Sequence, residues 1–124
     1  MRKSTSTNYN NESNLIEQCP LVYTLSKIGN RWKPYIIWKL LDRTLRYSEL
    51  KTEIPLIAER MLILSLKELE QDGLIKRIAY QQVPPKVEYC LTASGDNLRK
   101  ILEGLYSWGE GEMKLKCNRA GNTK

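Results

Sequence analysis

The chain has 124 residues, enough for one domain with a modest core, and its 41% hydrophobic and 27% charged content is ordinary for a globular protein. Its net charge of +6 points to a polyanionic partner, either nucleic acid or an anionic membrane surface. The lack of histidine removes the usual hydrolytic triads and most catalytic metal sites, and there is no Gly-rich phosphate loop, so an enzyme is not expected.

Residues 1–14 are polar, Asn/Ser/Thr-rich and aperiodic, which predicts a disordered tail. Arg2 and Lys3 are followed by no apolar run, so no signal peptide is expected, and no segment reaches membrane-spanning length. A cytoplasmic location follows as an expectation, with Cys19, Cys90 and Cys117 reduced. Their spacings fit no zinc pattern, and no metal or cofactor is expected.

From Pro20, Leu21, Leu25 and Ile28 recur with helical spacing, and Gly29 marks a stop. A second helix is predicted over Pro34 to Asp42, with Ile37, Leu40 and Leu41 on one face and Trp32 as a core anchor at the junction. Leu45 to Tyr47 reads as a short strand. Ser48 then caps a brief third helix through Glu53, ended by Ile54-Pro55. A fourth helix spans Ala58 to Gln71. At 100° per residue, Leu62, Leu66 and Leu69 share its core face, and Gly73 supplies the left-handed terminator.

Leu74 to Tyr80 and Val87 to Thr92 alternate like strands and are joined by "QQVPPK". Two prolines cannot donate to a ladder, so the tip must project beyond the paired region. A last helix begins near Thr92 or Ser94. Its apolar set, from Leu98, Ile101, Leu102 and Leu105 through Trp108 to Met113, covers about 160° of a helical wheel. That is wide for packing on a small core. Residues 114–124 look frayed and basic, so the domain is expected over 15–113.

The third and fourth helices have helix-turn-helix spacing, and a hairpin follows at once. The predicted fold is therefore α+β, mainly α: a winged helix-turn-helix with additional helices at both ends. The fourth helix would enter a major groove of double-stranded DNA. Arg60, Ile63, Leu64, Lys67 and Gln71 lie opposite its core face, where Arg60 and Lys67 can meet guanine edges or phosphates and Ile63 a thymine methyl. Arg46, Ser48 and Lys51 on the preceding elements, and Lys76, Arg77 and Lys86 on the wing, complete the candidate DNA contacts. A second reading is a winged-helix module that binds protein through an apolar Ile63–Leu64 patch.

The segments "CPLVYTLSKIGNRWKPYIIWKLL", "RYSELKTEIPLIAERML", "LKELEQDGLIKR", "VPPKVEYCLT" and "SWG" resemble the HxlR-type branch of the MarR-like winged-helix transcription regulators. The resemblance runs from Cys19 to about Gly109. It implies a homodimer built from the first and last helices, with Leu21, Leu25, Leu98, Ile101, Leu102, Leu105 and Trp108 at the pairing surface. It also implies operator binding, often answering an oxidative or small-molecule effector. The family commonly has Ser at the position of Ala58, Thr at Ile63, a polar residue at Leu64 and Arg at Ser65, so this chain departs from it in the reading helix. Cys19 precedes Pro20 at a helix N-terminus, which favours a thiolate. It is a redox candidate, or a small residue filling a dimer seam.

Overall fold

The computed structural model describes residues 14–122, with side chains through Asn118. The tail expected over residues 1–14 lies outside the described residues except for Asn14, which opens a helical turn at 14–18. Helix α1 spans Pro20–Ile28, with proline in its first turn. Of its periodic residues only Ile28 is buried, while Leu21 and Leu25 point outward. An ion pair of 3.4 Å from Lys27 to Asp72 fastens it to the body.

Helix α2, Trp32–Leu40, starts two residues before the predicted Pro34. Asn30 explains the difference: its Oδ1 accepts from the backbone of Trp32 at 3.0 Å and Lys33 at 2.9 Å. Pro34 then falls within the first turn, where a missing N–H costs nothing. Trp32 is half-buried against the core and stacks on Tyr35. The helix also ends before the predicted Asp42, because Leu41 is extended and Asp42 is left-handed at φ 59°. Asp tolerates that conformation, and both of its carboxylate oxygens accept from Arg99, at 2.9 and 2.7 Å.

Strand β1 is Leu45–Arg46, and helix α3 follows as Tyr47–Glu53. Ser48 is not the cap. It lies inside the first turn, and Glu49 reaches back to accept from the Arg46 amide at 2.8 Å. Helix α4 is Glu59–Gln71, entered through Ala58 with no side-chain cap. Leu62, Leu66 and Leu69 are buried as the wheel requires, packing with Ile36, Ile37 and Leu40 of α2. Gly73 terminates α4 at φ 75°. Its amide donates to the Glu70 carbonyl and that of Leu74 to Leu69, both at 3.0 Å, with the Leu69 and Leu74 side chains both buried. This is the hydrogen-bond pattern of a Schellman terminus.

Strands β2 (Ile75–Tyr80) and β3 (Lys86–Leu91) form the hairpin, with Ile75 opposite Leu91 and Tyr80 opposite Lys86. Strand β1 adds to β3, giving a three-stranded antiparallel sheet in the order β1-β3-β2. Tyr89 and Leu91 pack on the core, as the alternation predicts.

The single last helix expected from the sequence is two. Thr92 caps the short α5, Ala93–Asp96, by accepting from Gly95 N at 3.1 Å. A turn at Asn97 and Leu98 follows, where Leu98 N donates to Gly95 O three residues back, and α6 then runs Arg99–Asn122. It continues past Met113, where a frayed tail was expected. Lys114, Leu115 and Lys116 are good helix formers, no proline intervenes, and the cost of about 1 kcal/mol for each of Gly109 and Gly111 does not stop it. No helix among the described residues is long and apolar enough to cross a membrane.

Ser65 is 1% exposed on the core face of α4, and its hydroxyl has no hydrogen-bond partner among the described residues. Ser65→Ala should raise stability by about 1 kcal/mol, read as a higher denaturant midpoint at unchanged slope. Ala58→Ser should add a similar amount, about 1 kcal/mol, by capping α4, and slow amide exchange over Arg60 to Leu62.

Candidate nucleic-acid interface

Leu50 of α3, Ile54 just after it and Leu62 of α4 are buried in one core, and the far face of α4 is left in solvent. Arg60, Ile63, Leu64, Lys67 and Gln71 are all exposed on that face, as the helical wheel predicts. Ser65 is not a reading position, because it points into the core. The turn adds a residue that sequence reasoning missed: Leu56 is 89% exposed between the two helices. An apolar residue next to Pro55 in a solvent-facing turn was the available signal.

Charge pairing sorts the predicted cations. Arg46, Arg60, Lys67, Lys76 and Arg77 are exposed and have no acidic partner within ion-pair reach among the described residues. Lys51 lies 3.6 Å from Glu59, and Lys86 lies 3.4 Å from Glu88 with its ammonium 4.6 Å from the Tyr80 ring centroid. Several cations away from this surface are neutralised by carboxylates: Lys33 by Glu68, Lys39 and Arg43 by Glu53, and Arg99 by Asp42 and Asp96. Arg99 holds the Asp42 carboxyl below its usual range, and Arg43 does the same for Glu53.

Glu59 also accepts from the Tyr47 hydroxyl at 3.2 Å, so one carboxylate joins the starts of α3 and α4. Burial, and then Glu59, push the Tyr47 phenol up. Lys76 and Arg77 both stand on the wing, but neighbours in a strand face opposite ways. Lys76 pairs with Cys90 on the outer face, while Arg77 pairs with Tyr89 on the face that continues the core side. One line of phosphates cannot meet both.

The expected pairing residues also divide. Leu102 is only 4% exposed within the core of its own chain and Leu98 is half-buried against that core, so both hold α6 down within the chain. Leu21, Leu25, Ile101, Leu105 and Trp108 remain exposed, Trp108 at 72%. Tyr106 stacks on Trp38 at 5.1 Å between ring centroids, fixing α6 against α2. Cys19 is half-buried at the entrance of α1 with no side-chain cap bond.

A helix-turn-helix whose second helix turns Arg60 and Lys67 to solvent, followed directly by a two-stranded wing, defines a winged helix-turn-helix transcription regulator. Residues 27–116 match the family described as HxlR-like helix-turn-helix, and the chain belongs to that family. An uncharacterized HTH-type transcriptional regulator of Halalkalibacterium halodurans is 52% identical over 95 residues, spanning 76% of this chain and 84% of that one. The crystal structure of the HTH-type regulator ytcD matches with TM-score 0.74 at 44% identity, over 78% of this chain and 99% of that chain. The redox regulator HypR in its reduced form matches with TM-score 0.74 at 42% identity, over 77% and 95% of the two chains.

The two kinds of free cation should behave differently in quantitative binding titrations on duplex DNA. Arg60→Ala should relax preference at one base position by about 1–3 kcal/mol. Arg46→Ala should weaken binding to every sequence alike and lower the salt slope by about 0.9, the loss of one phosphate contact.

Proposed function

We propose that the protein is a homodimeric, operator-binding regulator, with α4 in the major groove and the wing along the neighbouring backbone, working in the cytoplasm on chromosomal DNA. The observation that carries the reading is the outward face of α4, where Arg60 and Lys67 stand without acidic partners among the described residues, beside Ile63 and Leu64. The guanidinium and ammonium suit guanine edges or phosphates, and the two apolar side chains suit thymine methyl groups. Arg46, Lys51, Lys86 and one of the oppositely facing pair Lys76 and Arg77 supply the surrounding phosphate contacts.

Pairing is supported by the apolar side chains that the monomer leaves uncovered. Leu105, Trp108 and Met113 of α6 are exposed, and so are Leu21 and Leu25 of α1. A monomer seldom leaves so much large apolar surface open, and two-fold operators need a two-fold protein. The signal is a redox or small-molecule one. A redox role for Cys19 draws its support from the likeness to HypR, described as a redox regulator in structures of both oxidised and reduced forms.

The test is the purified protein on the intergenic DNA beside its own gene. Binding should fall steeply with salt, because phosphates release their cations on contact. Salt-insensitive capture of a protein through Leu56, Ile63 and Leu64 would favour the interaction-module reading instead. Leu105→Glu or Trp108→Glu should give monomers or aggregates in sedimentation, with operator affinity falling sharply. A wild type that sediments as a monomer removes the dimer from the proposal.

A further inference from the structure

Glu88 faces a group from each strand of the sheet. Its Oε1 accepts from the Tyr80 hydroxyl at 2.8 Å, and its Oε2 lies 3.4 Å from Lys86 Nζ. Across the β1–β3 register it stands opposite Arg46. Tyr80 and Lys86 are the last paired residues before the hairpin loop, so the cluster sits at the end of the sheet that reaches outward. The Tyr80 hydrogen bond, with Lys86 and Arg46 adding to it against the opposing effect of burial, holds the Glu88 carboxyl below its usual range. It is therefore charged at neutral pH. The side chain is only 17% exposed, which shields its field from salt more than a free surface carboxylate's.

A carboxylate placed there works against a simple grip on DNA. It repels phosphate, and it occupies the one lysine of the wing tip. We propose that Glu88 is a specificity-determining residue of the DNA interface: it withholds Lys86 from phosphates, so that duplex without a matching site for α4 is held weakly. The inference rests on the DNA-binding reading above and adds an internal competitor to it. When α4 is seated on its own sequence, the wing is kept beside the backbone, and a phosphate can displace Glu88 from Lys86. On random duplex nothing keeps it there, and the internal pair persists.

The experiment measures fluorescence anisotropy of a labelled mixed-sequence duplex over a range of salt, comparing wild type with Glu88→Gln, Glu88→Gln/Lys86→Ala and Tyr80→Phe. Glutamine keeps an acceptor for the Tyr80 hydroxyl and removes only the charge. Glu88→Gln should bind more tightly than wild type, with a salt slope steeper by about 0.9, so its advantage at about 50 mM salt exceeds that at about 200 mM roughly three- to fourfold. Adding Lys86→Ala should abolish the gain. Tyr80→Phe leaves the charge in place and should keep the wild-type slope.

Unchanged or weaker binding by Glu88→Gln would overturn the proposal, since Glu88 would then only brace the wing. A slope change in Tyr80→Phe equal to that of Glu88→Gln would overturn it too, by assigning the effect to wing geometry. A wild type with no salt-dependent duplex binding would sink the DNA-binding reading itself, and this inference with it.

Discussion

The angle between the reading helix and the wing is set at one reversal of the chain. Gly73 ends α4 in a left-handed turn, Leu74 returns its amide to Leu69, and the same two residues receive the far end of the hairpin. The Thr92 hydroxyl donates to the Gly73 carbonyl at 2.6 Å, and the Thr92 amide donates to the Leu74 carbonyl at 3.1 Å. Gly95 lies against that same Leu74 carbonyl, so closely that a Cβ there would collide with it. Four elements thus share one knot: the end of α4, the start of β2, the end of β3 and the start of α5. A surface proposed to match a groove and a backbone at once needs its two parts held at a fixed angle.

Much of this was legible in the sequence. The Leu62–Leu66–Leu69 stripe, the Gly73 stop and the inward turn of Tyr89 and Leu91 are local signals, and the structure repeats each of them, while Val87 does not reach the core. Helix starts were read less well, because capping was carried by side chains other than those expected: Asn30 for α2 and Glu49 for α3. The break at Asn97 and the continuation beyond Met113 turn on how α5 is anchored at Thr92 and on the tolerance of two glycines, neither of which periodicity reports.

The binding face shows a different limit. A helical wheel places Arg60 and Lys67 outward correctly, yet it cannot tell a free cation from a neutralised one. Lys51 and Lys86 look like their neighbours in sequence, and only the folded chain brings Glu59 and Glu88 to them. Leu98 and Leu102 likewise share a helical stripe with Leu105 and Trp108, but the first pair packs into its own chain and the second does not. Tertiary neighbours, not residue type, separate these cases. The +6 charge is therefore a poor guide by itself, because several cations are spent on bracing α1 and α2 to α4 and α2 to α3.

The length of α6 has a thermodynamic consequence. Its own chain holds it near Leu102 and Tyr106, close to its start, and the remainder runs on to Asn122 with Gly109 and Gly111 in the middle. A helical stretch of that composition is marginal in water when nothing covers its apolar side. In the proposed dimer, the partner's cover over Trp108 and Met113 supplies part of the free energy that keeps it wound. Helix content then obeys mass action. Dilution does not merely separate such an element from its cover; it shortens the element itself, and a change in the covering surface is felt as a change in secondary structure.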